Sequence, residues 1–189
     1  MVIGVLALQG AFREHLKMLR TCGAQGTEIR LPSQMEGIDG LVIPGGESTT
    51  ISKLMREYDF PGSIKSLAVS GRPIFGTCAG LIVLADKIDG QKQDLLNLID
   101  LDIRRNAYGR QILSREIDLS MPFLGADAFR AVFIRAPIIL KTGGKVQVLA
   151  TYQDRVVVAR QDNILVSSFH PELAGDVRMH NYFLAMAGK

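Results

Sequence analysis

Apolar residues fall along this chain in two regimes. In the first half, short unbroken apolar runs alternate with stretches of helical spacing. Val2–Leu8 is rich in β-formers and lacks polar alternation, which predicts a central strand covered on both faces. Phe12, Leu16 and Leu19 then recur at helical spacing through Cys22, and Gly23 suits a C-cap. Thr27–Leu31 and Gly40–Ile43 read as further strands, the latter stopped by Pro44-Gly45-Gly46. Helices are predicted from Ser48 to about Tyr58 and over Gly62–Val69, the second closed by Ser70-Gly71. Pro73–Phe75 is a short strand ending at Gly76, and Ala79–Ala85 is helical in character. This β-α-β-β-α-β order predicts a mostly parallel sheet with helices on both faces.

The second half reads differently. Ile99–Arg104, Leu113–Leu119, Phe129–Ile134, Val146–Tyr152, Val156–Arg160 and Ile164–Phe169 are strand-like runs with few helical signals between them. They predict an antiparallel section and additions to the main sheet. Gly175–Ala187 reads as a terminal helix packing through Val177, Tyr182, Phe183 and Met186. Lys87–Asn97 is the most polar stretch and is expected to be a flexible surface loop. One domain over residues 1–189 is the expectation, because no linker, repeat or low-complexity tract interrupts the pattern.

Composition narrows the function classes. The 189 residues are 47% hydrophobic and 22% charged, which excludes wholesale disorder. The net charge is only +3 and the longest basic run is Arg104-Arg105, so nucleic acid is not an expected partner. The start of the chain has no basic n-region, and its apolar run of about seven residues is too short to span a bilayer. No membrane association is expected. Two cysteines far apart in sequence suit a reduced, cytoplasmic setting.

The chemistry begins at Gly76-Thr77-Cys78-Ala79-Gly80, between a predicted strand and a predicted helix. This is a nucleophile elbow with cysteine in place of serine. A sharp strand-to-helix turn brings backbone close to backbone, so side chains at Gly76 and Gly80 would collide. Cys78 stands at a helix N-terminus, where unpaired N–H groups favour a thiolate. The Ala79 amide then faces a developing oxyanion. Read without this context, Cys78 is a small buried residue, as Cys22 is expected to be.

Of three histidines, His15 and His180 fall in helical segments and are expected to be structural and half-exposed. His170 stands at a strand end, where α/β folds carry their chemistry. In extended chain His170 and Glu172 point the same way, so Glu172 can hold the imidazole tautomer while the other ring nitrogen faces a thiol. Cys and His spacings fit no metal site, and no Walker or dinucleotide loop is present, so no metal or cofactor is expected.

Pro44-Gly45-Gly46-Glu47-Ser48-Thr49-Thr50 ends a strand and opens a helix, a turn that presents backbone N–H groups. Gly46 is a candidate second oxyanion donor, and Ser48 or Thr49 a candidate N-cap. Arg105 and Arg135 could each grip a carboxylate through paired donors.

Several segments match a known family together. They are Leu8-Gln9-Gly10-Ala11 with Arg13-Glu14-His15, Pro44 to Thr50, Gly76 to Leu81, Arg105-Asn106 with Gly109-Arg110-Gln111, Phe133 to Pro137, and Ser168 to Leu173. On these the chain resembles the class I (triad) glutamine amidotransferases, and within them the glutaminase subunits of pyridoxal 5′-phosphate synthase. Tyr108 stands where phenylalanine is expected, a mild difference. The resemblance implies a flavodoxin-like α/β three-layer sandwich and a Cys78–His170–Glu172 triad. It implies a glutamine pocket lined by Gly46, Glu47, Ser48, Arg105, Ile134 and Arg135. It also implies hydrolysis of L-glutamine through a γ-glutamyl thioester, with ammonia delivered to a lyase-like synthase subunit. Gln9-Gly10 is the segment expected to respond to docking. Competing readings are a glutaminase for another synthase (the imidazole glycerol phosphate type), a cysteine-elbow redox or binding protein, and a cysteine peptidase.

Overall fold

The computed structural model describes residues 1–89, 93–105 and 114–188. Asn106, Tyr108 and Gly109-Arg110-Gln111 of the family motifs lie outside the described residues, as does Leu113. The described elements are β1 (Val2–Leu6), α1 (Phe12–Thr21), β2 (Gln25–Ile29), β3 (Gly40–Ile43), α2 (Ser48–Glu57), α3 (Phe60–Val69), β4 (Ile74–Thr77) and α4 (Ala79–Leu84). There follow β5 (Ala85–Ile88), β6 (Ile99–Arg104), β7 (Ser114–Leu119), β8 (Phe129–Ile134), β9 (Ile138–Thr142), β10 (Gln147–Tyr152), β11 (Arg155–Gln161), β12 (Ile164–Ser167) and α5 (Arg178–Ala187).

A seven-stranded sheet in the order β10-β11-β12-β4-β3-β1-β2 forms the middle layer. The five strands from β12 to β2 are parallel, and β10 and β11 extend the sheet antiparallel. The predicted α/β class, with an antiparallel section from the second half, is what is observed. A three-stranded sheet (β5-β6-β9) and the hairpin β7–β8 flank it.

Successive side chains of a strand point to opposite faces, and both faces are covered here. Ile3, Val5, Val42 and Phe75 pack on one side with Leu19, Phe129, Phe169, Met179 and Phe183. Leu6, Leu41, Ile43 and Ile74 pack on the other with Ile51, Met55, Phe60, Ile64 and Leu81. Helices α1 and α5 therefore cover one face, and α2, α3 and α4 the other. This explains why the strands read as apolar runs. Helix α4 is buried all round, so it carries no polar face.

Two strands escape the sequence pattern. Ala85–Ile88 falls partly in the stretch expected to be a polar loop, yet it pairs with β6. Ile138–Thr142 directly follows Pro137 and pairs antiparallel with β6. The main consequence of the sheet order is local. The C-terminal ends of β1, β3, β4 and β12 lie side by side at one edge, where doubly wound sheets hold their ligands.

Candidate active site

Four loops leave that edge, and each carries a predicted site segment. Thr77 and Ser167 are partners in the register of β4 and β12, so Cys78 and the Ser168–Glu172 segment emerge from adjacent strands. Cys78 takes φ 49° and ψ −100°, a backbone region hostile to a side chain. Its N–H donates to Ser167 O at 2.9 Å, which ties the strained turn to the neighbouring strand. A methyl on Gly80 would enter the Ile43 carbonyl, and one on Gly76 would meet Gly80 backbone. These contacts are the close approach that the elbow glycines predict.

Cys78 and His170 are 6% and 8% exposed, and both lie against Gly45. The Cys78 Sγ also lies 3.7 Å from the Ile134 carbonyl. His170 Nδ1 is 2.6 Å from Glu172 Oε1. The route to that contact differs from the one expected. Pro171–Leu173 is a 3-10 turn, not extended chain, and the turn folds the Glu172 carboxylate back under the ring. Burial opposes a charged His170, but the neighbouring Cys78 and the hydrogen-bonded Glu172 outweigh this and raise it to about 10. Burial likewise works to raise Glu172, yet the neighbouring His15 and the hydrogen-bonded His170 outweigh it and hold the carboxyl below its usual value.

The β3 loop packs directly on this pair. A methyl added to Gly45 would intrude on the His170 ring and come within 3.2 Å of the Cys78 Cβ. Glycine is thus required for imidazole and loop to share the space. Gly45 N–H donates to Thr77 Oγ1 at 3.1 Å, and Gly45 O accepts from Ala11 N–H at 2.9 Å. Gln9 Oε1 accepts from Glu47 N–H at 2.7 Å and lies against Gly46. The β1 loop therefore sets the position of the Gly46–Glu47 peptide.

Helix α2 is capped by Glu47 rather than by Ser48 or Thr49. The Glu47 carboxylate accepts from the Thr49 and Thr50 amides and from both threonine hydroxyls. Its length lets one carboxylate serve several donors at the positive end of the helix. Burial works against the charge, but these hydrogen bonds, led by the Thr49 and Thr50 hydroxyls, hold Glu47 at about 2. Arg105 closes on it, Nη2 to Glu47 Oε1 at 2.9 Å.

Gln93 joins this group and went unnoticed in the sequence, inside a stretch read as polar loop. Its Nε2 donates to Ser48 O and Ser52 Oγ, and its Oε1 accepts from Ser48 Oγ and Arg105 Nη1. Arg135 is not drawn to the cysteine in the same way. It is exposed, with φ 44°, and lines a cavity with Arg115, Ile117, Phe133 and Tyr152 that includes none of Cys78, His170 and Glu172. The Ile134–Arg135 segment meets the site through main chain, at the Ile134 carbonyl.

His15 and His180 depart from expectation. Both are fully buried, and they touch: His15 Nδ1 is 3.0 Å from His180 Nε2. Helix spacing placed them on helices but not beneath the sheet edge where α1 and α5 meet. Among the described residues no group of His, Cys, Asp and Glu could hold a metal, and no helix is long and apolar enough to cross a membrane.

A cysteine elbow beside a histidine–carboxylate pair, on a doubly wound sheet, is the arrangement that the resemblance to glutamine amidotransferases implies. A crystal structure of a glutamine amidotransferase matches it with a TM-score of 0.95 at 47% identity, covering 100% of both chains. Residues 5–189 match the SNO glutamine amidotransferase family, and the chain belongs to that family. The pyridoxal 5′-phosphate synthase subunit PdxT of Pelotomaculum thermopropionicum is 55% identical, over 97% of this chain and 94% of that one. The protein of the same name from Moorella thermoacetica is 53% identical, over 100% of both chains.

Proposed function

We propose that this chain is the glutaminase subunit of a pyridoxal 5′-phosphate synthase, acting in the cytoplasm as one domain. It hydrolyses L-glutamine to L-glutamate and ammonia and passes the ammonia to a lyase-like synthase subunit. The observation that carries the reading is the strained Cys78 against His170, itself 2.6 Å from Glu172, in a chain about half identical to PdxT proteins along its length.

The Cys78 thiolate attacks the side-chain amide carbon of glutamine, forming the C–S bond and moving the carbonyl electrons onto oxygen. The amides of Gly46 and Ala79 receive that oxyanion, each worth roughly 3–4 kcal/mol in comparable sites. The His170 imidazolium gives its proton to the departing nitrogen, so ammonia leaves and a γ-glutamyl thioester remains. His170, now neutral, takes a proton from water as the water attacks the thioester. Collapse expels the thiolate and releases glutamate. Glu172 holds the ring and stabilises the imidazolium through Nδ1.

Glu47, Ser48, Arg105 and the Ile134–Arg135 main chain form the glutamine subsite. The Arg105 guanidinium suits the α-carboxylate and the Glu47 carboxylate the α-amino group. Free ammonia in water would be protonated and lose its nucleophilicity, so the product needs a sheltered acceptor, and a synthase subunit provides one. The Gln9–Glu47 hydrogen bond is the contact through which docking adjusts the Gly46 amide.

Ammonia release from glutamine, measured with and without the synthase subunit of a PdxT relative, tests the proposal. A rate that rises with the partner supports it. No release in either condition would refute it.

A further inference from the structure

The triad chemistry uses one oxygen of Glu172 and leaves the other unaccounted for. Oε2 is fully buried and accepts no aligned hydrogen bond among the described residues. What faces it is His15 Nε2, 3.3 Å away, also fully buried. The same nitrogen lies 3.2 Å from Thr77 Oγ1, one residue before the nucleophile. On the far side of the ring, His15 Nδ1 meets His180 Nε2 at 3.0 Å, and His180 Nδ1 has no partner.

These contacts allow two arrangements of protons. Burial, as the largest cause, lowers both His15 and His180, the latter to about 3, so each ring is neutral with one N–H. If His15 carried its proton on Nδ1, it would donate to His180 Nε2. His180 would then hold an orphaned N–H at Nδ1, and the bare Nε2 of His15, although able to accept from the Thr77 hydroxyl, would face a carboxylate oxygen. If His180 instead carries its proton on Nε2, every N–H finds an acceptor. His180 then donates to His15 Nδ1, and His15 Nε2–H meets Thr77 Oγ1 with Glu172 Oε2 3.3 Å from the same nitrogen. Buried N–H groups without partners are rarer than unfilled acceptors, so the second arrangement prevails.

We propose that His15 is a positioning residue for the hydrolysis, its Nε2–H held toward the outer oxygen of Glu172 by the buried His180. This rests on the glutaminase reading above. His15 touches neither substrate nor nucleophile. It fixes the carboxylate plane, so Oε1 stays on His170 Nδ1 while the imidazole gains and loses its proton. A carboxylate anchored at one oxygen can swing, whereas one held at both cannot. Contacts of this kind are often loose before substrate binds and shorten as charge develops on the base.

Two measurements test it. In the full wild-type chain with ¹⁵N-labelled histidine, nitrogen shifts near neutral pH should show His15 neutral with its proton on Nε2. A proton on Nδ1 would overturn the proposal, and this reading needs no variant. In glutamine turnover with the synthase subunit, His15→Phe removes the donor at similar size, and His15→Gln restores an N–H near the Nε2 position. His15→Phe should lose on the order of tenfold in kcat with KM nearly unchanged, and His15→Gln should recover most of the loss. Full kcat in folded His15→Phe, or equal losses in both variants, would overturn it. Should His15→Phe not fold, the tautomer decides. Absence of turnover in wild type would sink the glutaminase reading instead, while the tautomer still reports on His15 itself.

Discussion

Nδ1 of His170 and Oε1 of Glu172 stand 2.6 Å apart across the single turn of Pro171, both residues buried. That contact fixes the proton of a neutral His170 on Nδ1 and leaves Nε2 to the thiol. Glu172→Gln keeps the shape but exchanges a charged acceptor for an amide. Turnover should fall by about 10⁴-fold, as when the orienting acid of a serine triad is amidated. KM should barely move, and ammonia release across a glutamine titration checks both.

On the proposed mechanism, Cys78→Ala removes the atom that forms the thioester. Residues acting as one unit fail together, so kcat should drop by about 10⁴-fold or more. A chloroketone analogue of glutamine should add one γ-glutamyl-like group to wild type and none to Cys78→Ala, read by intact mass. Addition at Cys22 alone would remove Cys78 from its assigned role.

Gly45→Ala puts a methyl against the His170 ring and the Cys78 Cβ. The ring must move, and a displacement of about 1 Å can cost 10²-fold in rate. We expect turnover to fall about 100-fold while the far-ultraviolet circular dichroism stays native. Wild-type turnover would mean that the β3 loop does not confine the imidazole.

Arg105→Ala removes an ion-pair partner of Glu47 and a guanidinium from the proposed glutamine subsite. Hydrogen bonds to charged groups contribute about 1.5–3 kcal/mol, so KM for glutamine should rise about tenfold or more. The kcat should change less, since on the proposed binding mode Arg105 grips the α-carboxylate, at the other end of glutamine from the breaking amide. The inverse pattern in a glutamine titration would place Arg105 in the chemical step.

The histidines predict a stability optimum. His170 is raised from 6.5 to about 10, so between those values the folded chain holds a proton that the unfolded chain has lost. Its stabilisation is complete below pH 6.5 and fades as pH climbs through 10. His180 is lowered from 6.5 to about 3, and His15 is lowered too, so below 6.5 the unfolded chain takes up protons that the fold refuses. Stability therefore falls toward acid as well, and protonation of Glu172 below its unfolded value of 4.5 adds to that loss. Each full proton of difference tilts stability by about 1.4 kcal/mol per pH unit. Thermal midpoints from pH 4 to 10 should peak near 6.5, and His180→Phe should flatten the acid side. A midpoint still climbing at pH 9 would contradict the charge assigned to His170.

The parts of the fold visible in sequence are those governed by neighbours along the chain. Ile99–Arg104 and Phe129–Ile134 form strands with the predicted ends, because their alternation faces one core. The Cys78 elbow and the glycine turn were legible because strain and close approach force particular residue types. Ala85–Ile88 was not, because an Asp-Lys pair on an edge strand looks like loop until β6 arrives beside it. Gln93 was hidden for the same reason. The His15–His180 contact joins residues 165 positions apart, and no local pattern records where α1 and α5 converge.

Because Thr77 and Ser167 are register partners, the main chain leading to Cys78 and that leading to His170 leave the sheet side by side. The intervening polypeptide, from α4 through β11, returns to the place it left. Loops of that excursion away from Gln93, Arg105, Val132 and Ile134 can therefore lengthen, shorten or be recast without displacing Cys78 or His170, provided β12 regains its seat beside β4. Divergence is then confined to the parts of the excursion that touch neither residue.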